Sequence, residues 1–147
     1  MKAVIQRVKS GKVRIGNKVY SQINYGYVIF LGIFEKDNTE EVDKLINKII
    51  HLRIMPDNNN KMNKSVIDIS GEILVVSQFT LCAELDGRRP SFFLAKKPDE
   101  AEKLYKYFVN KLAENKLTIK TGKFGTKMEV EIINDGPVTI LLDSISI

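Results

Sequence analysis

The chain has little of the equipment from which hydrolytic sites are usually assembled. Cysteine and histidine occur once each among 147 residues, as Cys82 and His51, and tryptophan is absent. One cysteine excludes an internal disulfide and a cysteine-based metal site. One histidine confines any Ser-His-Asp or Cys-His arrangement to His51. That residue closes a predicted helix beside Ile49, Ile50 and Leu52, where an imidazole commonly serves the helix end rather than chemistry. A zinc site would need mostly carboxylates, and none cluster at ligand spacing. Phosphate-binding signatures of the Walker or Gly-x-Gly-x-x-Gly kind are missing as well. No metal and no cofactor are expected, and any catalysis must run on few conventional side chains.

Long apolar runs are also lacking. Nothing approaches the length of a membrane span. Charges break up the start, Met1-Lys2-Ala3-Val4-Ile5-Gln6-Arg7, where a secretion signal needs an unbroken apolar stretch. A cytoplasmic location is expected. What is present is an ordinary globular balance, 44% apolar and 28% charged, enough for one domain over residues 1–147. Lys and Arg number 23 against 18 Asp and Glu, a net charge of +5. That excess permits an anionic partner such as RNA without requiring one.

Strand patterns dominate. Val4, Gln6 and Val8 lead through Ser10-Gly11, read as a turn, into Val13-Arg14-Ile15, and Gly16-Asn17 is a second turn before Val19-Tyr20. The continuous apolar run Tyr27–Phe34 predicts a buried central strand. Val42, Leu45, Ile46, Ile49 and Ile50 share one helical face, with Asn38 or Thr39 as cap. Val66–Ile69, Ser70-Gly71 and Ile73–Val76 read as a hairpin. A second helix starts at Pro98 and buries Ala101, Leu104, Tyr105, Phe108 and Leu112. Met128, Val130 and Ile132 alternate with Glu129 and Glu131, and Val138–Leu142 returns after a turn. The fold class is α+β: a strand-rich, curved or barrel-like sheet covered by two helices.

Three segments could carry chemistry. Ser77-Gln78-Phe79-Thr80-Leu81 follows a buried strand, so its backbone N–H groups are released where pairing ends and could hold an oxyanion. It equally fits a strand that simply runs on, with Ser77 and Thr80 bonded to nearby backbone. Asn134-Asp135-Gly136-Pro137 is first of all a turn; its glycine leaves the carbonyls open to a ligand ammonium group. Gly87-Arg88-Arg89-Pro90-Ser91-Phe92, with Lys96-Lys97, is the densest basic cluster, either a solvated loop or a phosphate contact.

Taken together these segments closely resemble the D-aminoacyl-tRNA deacylases. The resemblance spans essentially the whole chain, from Met1–Val8 through Ser77–Leu81, Arg89–Phe92 and Phe124–Met128 to Asn134–Thr139. It implies a homodimeric hydrolase acting on aminoacyl-tRNA at its 3′ acceptor end. It also implies a cis Gly136-Pro137 peptide that enters the partner subunit's site, meets the substrate amino group and excludes an L side chain. Ser77, Gln78, Phe79 and Thr80 would face the ester, Phe124 and Met128 would line the pocket, and Ala95 would lie near the adenine. Thr126 departs from the alanine more usual in that family. Arg88 and Arg89 would contact RNA. Thr80 has no base to activate it as a nucleophile, so the weight falls on backbone N–H groups. The alternative is a non-catalytic dimeric RNA-binding module.

Overall fold

Period-two alternation along Lys2–Ile15 builds β1, the strand around which the chain is organised; the computed structural model describes residues 1–147. β2 (Lys18–Ile23) and β3 (Gly26–Gly32) follow, then α1 (Thr39–His51) and the short β4 (Met55–Pro56) and β5 (Met62–Lys64). β6 (Glu72–Ser77), α2 (Pro98–Ala113), β7 (Thr118–Thr121) and β8 (Glu129–Asp143) complete the chain. The sheet runs β2-β1-β3-β6-β7, with β8 also paired to β1. β3 lies antiparallel to β1 and parallel to β6, and β6 is parallel to β7. Ser21 Oγ on β2 donates to the Thr121 carbonyl on β7 at 2.7 Å, so the sheet's two ends meet and the mixed sheet is nearly a closed barrel.

Alternation explains the core. Tyr27, Ile29 and Leu31 point from β3 toward the helices and join Ile5, Ile73, Val75, Leu45, Ile49, Phe108 and Leu112. Val28, between them, joins Val8, Val13, Ile23, Leu74 and Val76 in a second cluster on the opposite face. Each fully buried Ile or Leu contributes about 1.5–3 kcal/mol. Both helices cover one face as expected. Asn38 Oδ1 caps α1 by taking the Glu40 N–H at 2.7 Å, and Glu41 takes the Asn38 N–H at 3.0 Å. Pro98 opens α2, whose buried residues are the five expected ones.

Three expectations are corrected. Ser10-Gly11 is no turn: β1 runs through it, with its register against β8 shifting between Val8 and Ser10. Val66–Ile69 forms no hairpin strand. The Asp68 carboxylate takes the Ser65 N–H and hydroxyl at 2.7 and 2.8 Å, which folds residues 66–70 into turns. β6 therefore finds its partners in β3 and β7. Finally, Asn134–Pro137 does not separate two strands. β8 continues across it as a bulge, Val8 pairing with Asn134 and Gln6 with Thr139.

Candidate active site

β3 and β6 are parallel, so they end on the same edge of the sheet, Leu31 beside Ser77. The ladder stops there. The Gln78 N–H donates to the Leu31 carbonyl at 2.8 Å, and the chain tightens into a single 3-10 turn, Phe79–Cys82. Gly32 permits this approach: a Cβ there would lie 2.7 Å from Leu81 Cβ and 3.2 Å from the Gln78 carbonyl oxygen. The turn's first bond comes from the Leu81 N–H to the Gln78 carbonyl, at 3.2 Å. The N–H groups of Phe79 and Thr80 stand ahead of that bond, and the Gln78 side chain does not cap them.

Around this strand end lies a cleft of about 780 Å³. Leu31, Ile33, Val76, Ser77, Gln78 and Phe79 contribute from the sheet edge. Ala95, Lys96, Lys97, Pro98 and Ala101 contribute from the start of α2, and residues 124–128 with Val130 from the approach to β8. Ala95 is held by its neighbours: the Glu35 N–H donates to the Leu94 carbonyl at 2.9 Å and the Lys96 N–H to Ile33 at 3.0 Å. Phe79, 58% exposed, meets Phe92 edge-on with ring centroids 4.9 Å apart. Phe124 leans on Tyr105, whose hydroxyl donates to the buried Val75 carbonyl at 2.7 Å. The lining holds three lysines and no Asp, Glu, His or Cys, so its charge suits an anionic ligand.

Six of the expected residues thus come together: Ser77, Gln78, Phe79, Ala95, Phe124 and Met128. Thr80 is exposed beside the cleft without lining it, and its Oγ1 accepts from Gln78 Nε2 at 2.6 Å. Arg88 and Arg89 are exposed on a loop closed at its base by paired bonds between Glu84 and Ser91, and they do not line the cleft. His51 is exposed at the end of α1, its Nδ1 2.9 Å from the Asn47 carbonyl oxygen. Cys82 is buried, and burial together with the Asp37 charge pushes its thiol up to about 11. Leu31, Ile33, Val76, Ala101 and Val130 were expected within strands or on a helix's buried face and not as cleft residues, because their apolar character looks the same whether they line a core or a cleft wall.

Gly136 and Pro137 lie elsewhere, exposed on the β8 bulge, joined by a cis peptide with Gly136 at φ 127°. Opposite the bulge sits Arg7, 8% exposed. Its Nε donates to the Asp135 carbonyl at 3.2 Å and lies 3.0 Å from Asp135 Oδ2, while Nη1 donates to the Ile54 carbonyl at 2.6 Å. The Tyr25 hydroxyl donates to Asp135 Oδ2 at 3.0 Å; burial first, and that bond second, raise its pKa above the ordinary tyrosine value. No single motif announced this network, whose members are far apart in the chain.

Comparison with known proteins agrees along the whole chain. The family described as D-Tyr-tRNA(Tyr) deacylase matches residues 4–143. D-aminoacyl-tRNA deacylase from Aquifex aeolicus is 52% identical over 145 residues, covering 98% of each chain. That from Thermosipho africanus is 50% identical, covering 98% of this chain and 97% of the other. Among solved structures, a c-Myc DNA Unwinding Element Binding Protein superposes with TM-score 0.92 at 44% identity, over 97% of this chain and 98% of that one. A probable eukaryotic D-amino acid tRNA deacylase shares the fold at TM-score 0.85 and 15% identity, over 96% and 97%. With the family's match running from the first strand to the end of the last, this chain belongs to the D-Tyr-tRNA(Tyr) deacylase family.

Proposed function

We propose that the protein hydrolyses the ester joining a D-amino acid to the 3′ end of tRNA, releasing free D-amino acid and tRNA. The observation that carries this reading is the strand-end cleft, which pairs an uncapped 3-10 turn with three lysines and no Asp, Glu, His or Cys. Water adds to the ester carbonyl carbon, and the oxygen that gains negative charge is held by the Phe79 and Thr80 N–H groups. The bond to the ribose oxygen then breaks, and that oxygen takes up the proton that the attacking water gives up, relayed by the neighbouring 2′-hydroxyl. Ser77 and Gln78 flank the ester, Phe124 and Met128 enclose the amino acid, and Ala95 lies against the adenine.

Gly136-Pro137 is not in the lining of its own chain's cleft, which supports its acting in the cleft of a second copy. There its carbonyls accept from the substrate ammonium group and fill the space an L side chain would need, a filter working by rejection. Glycine, with no side chain to reject, is accepted too. The partner surface for a homodimer is β8: its ladder runs only to β1, and Ile133 and Leu141 on it are 60% and 76% exposed. Arg88, Arg89, Lys97 and Lys127 meet phosphates of the acceptor end, with Phe93, 82% exposed, available for base stacking. These steps belong in the cytoplasm, where charged tRNA is found. Incubation with D-Tyr-tRNA tests the reaction. Release of free D-tyrosine is expected; a protein that binds tRNA salt-dependently but leaves the ester intact is the RNA-binding module instead.

A further inference from the structure

We propose that Asp135 and Tyr25 are positioning residues that set how strictly Gly136-Pro137 discriminates between D and L substrates. The inference rests on the reading of Gly136-Pro137 as the filter. The bulge leaves the β1–β8 ladder after Asn134 and rejoins it at Thr139. Between those points Gly136 and Pro137 are exposed, and neither has a side chain that can anchor it. Asp135 is the residue through which side-chain bonds reach this stretch. Its carbonyl and its carboxylate both meet Arg7 Nε, at 3.2 and 3.0 Å, and its Oδ2 also accepts the Tyr25 hydroxyl at 3.0 Å.

Both partners are themselves fixed. Arg7 is buried and tied to the Ile54 carbonyl at 2.6 Å. Tyr25 packs against the main core, and its carbonyl accepts the Glu72 N–H at 3.0 Å. The bulge is therefore held after Pro137 by Val138, buried in the main core, and before Gly136 by Asp135, whose carbonyl and carboxylate tie it to Arg7 of β1 and whose carboxylate ties it to Tyr25 of the β2–β3 connection. A filter that works by excluded volume is only as selective as its backbone is rigid, since a small displacement opens room for the wrong side chain. Tyr25 and Asp135 touch no reacting atom; they act through the peptide that follows them.

The test measures deacylation of D-Tyr-tRNA and L-Tyr-tRNA side by side for wild type, Tyr25→Phe, Asp135→Ala and Asp135→Asn. Losing a charge-assisted hydrogen bond is expected to lower the D-to-L rate ratio about tenfold in Tyr25→Phe and Asp135→Ala. Asp135→Asn, which keeps a carbonyl acceptor, should restore part of it. Tyr25→Phe removes only a hydroxyl and keeps the ring in the core, so it reports even if Asp135→Ala folds poorly. An unchanged ratio, or equal loss on both esters, overturns the inference while leaving the filter in place. A wild type that cleaves both esters alike overturns the filter, and this inference with it.

Discussion

Thr80 carries the most obvious nucleophile in the segment, yet the only side-chain partner of its hydroxyl is the Gln78 amide, which donates to it at 2.6 Å. An amide donor cannot remove a proton, so Thr80 is not activated. Thr80→Ala should lower the deacylation rate by less than about tenfold, because its N–H remains; removing a true nucleophile costs on the order of 10⁶-fold. A folded Thr80→Ala protein with no activity would return Thr80 to the nucleophile's role. Cys82, buried at the end of the same turn, ties stability to pH. Its thiol titrates at about 11 in the fold against an ordinary 9.0. The folded chain thus holds that proton more tightly than the unfolded one. The resulting stability is complete below pH 9.0 and is lost as the pH rises through about 11. Urea midpoints at several pH values should show a steeper alkaline fall for wild type than for Cys82→Ala.

The turn Phe79–Cys82 depends on Gly32 of β3, where an added Cβ would meet Leu81 Cβ at 2.7 Å. Gly32→Ala should cost about 1–3 kcal/mol by chemical denaturation, as overpacking does, and should depress activity further by moving the Phe79 and Thr80 N–H groups. Unchanged activity would detach the turn from the chemistry. At this scale the sequence was partly legible. Helices could be read because Leu45, Ile49, Phe108 and Leu112 repeat at helical spacing, and because Asn38 and Pro98 mark the two starts. The turns were harder. Ser10-Gly11 and Asn134–Pro137 have turn composition, yet the long β1–β8 pairing absorbs both as irregularities within continuous strands. Val66–Ile69 has strand composition, but the Asp68–Ser65 bonds close it into turns. Local composition cannot report such long-range pairing or a side chain that satisfies the backbone three residues away. The cleft was legible through Ser77–Phe79, Ala95, Phe124 and Met128, known by resemblance, whereas its apolar walls and the Arg7–Asp135–Tyr25 network depend on the folded chain.

In the whole molecule, the cleft and the Gly136-Pro137 bulge belong to separate places on one chain, and the proposed reaction needs both. A second copy docking along β8 would bring them together. Leu141→Asp, which sets a charge on that open strand, should shift the protein toward monomer in sedimentation and lose deacylase activity in parallel. A fully active monomer would remove the need for a partner. The proposed choice of substrate rests on a rigid backbone rather than on a reactive side chain. Its most direct measurement is the pair of hydrolysis rates for D-Tyr-tRNA and L-Tyr-tRNA under identical conditions. Rapid loss of the D ester with the L ester spared is expected; equal rates for the two would show that the backbone does not select.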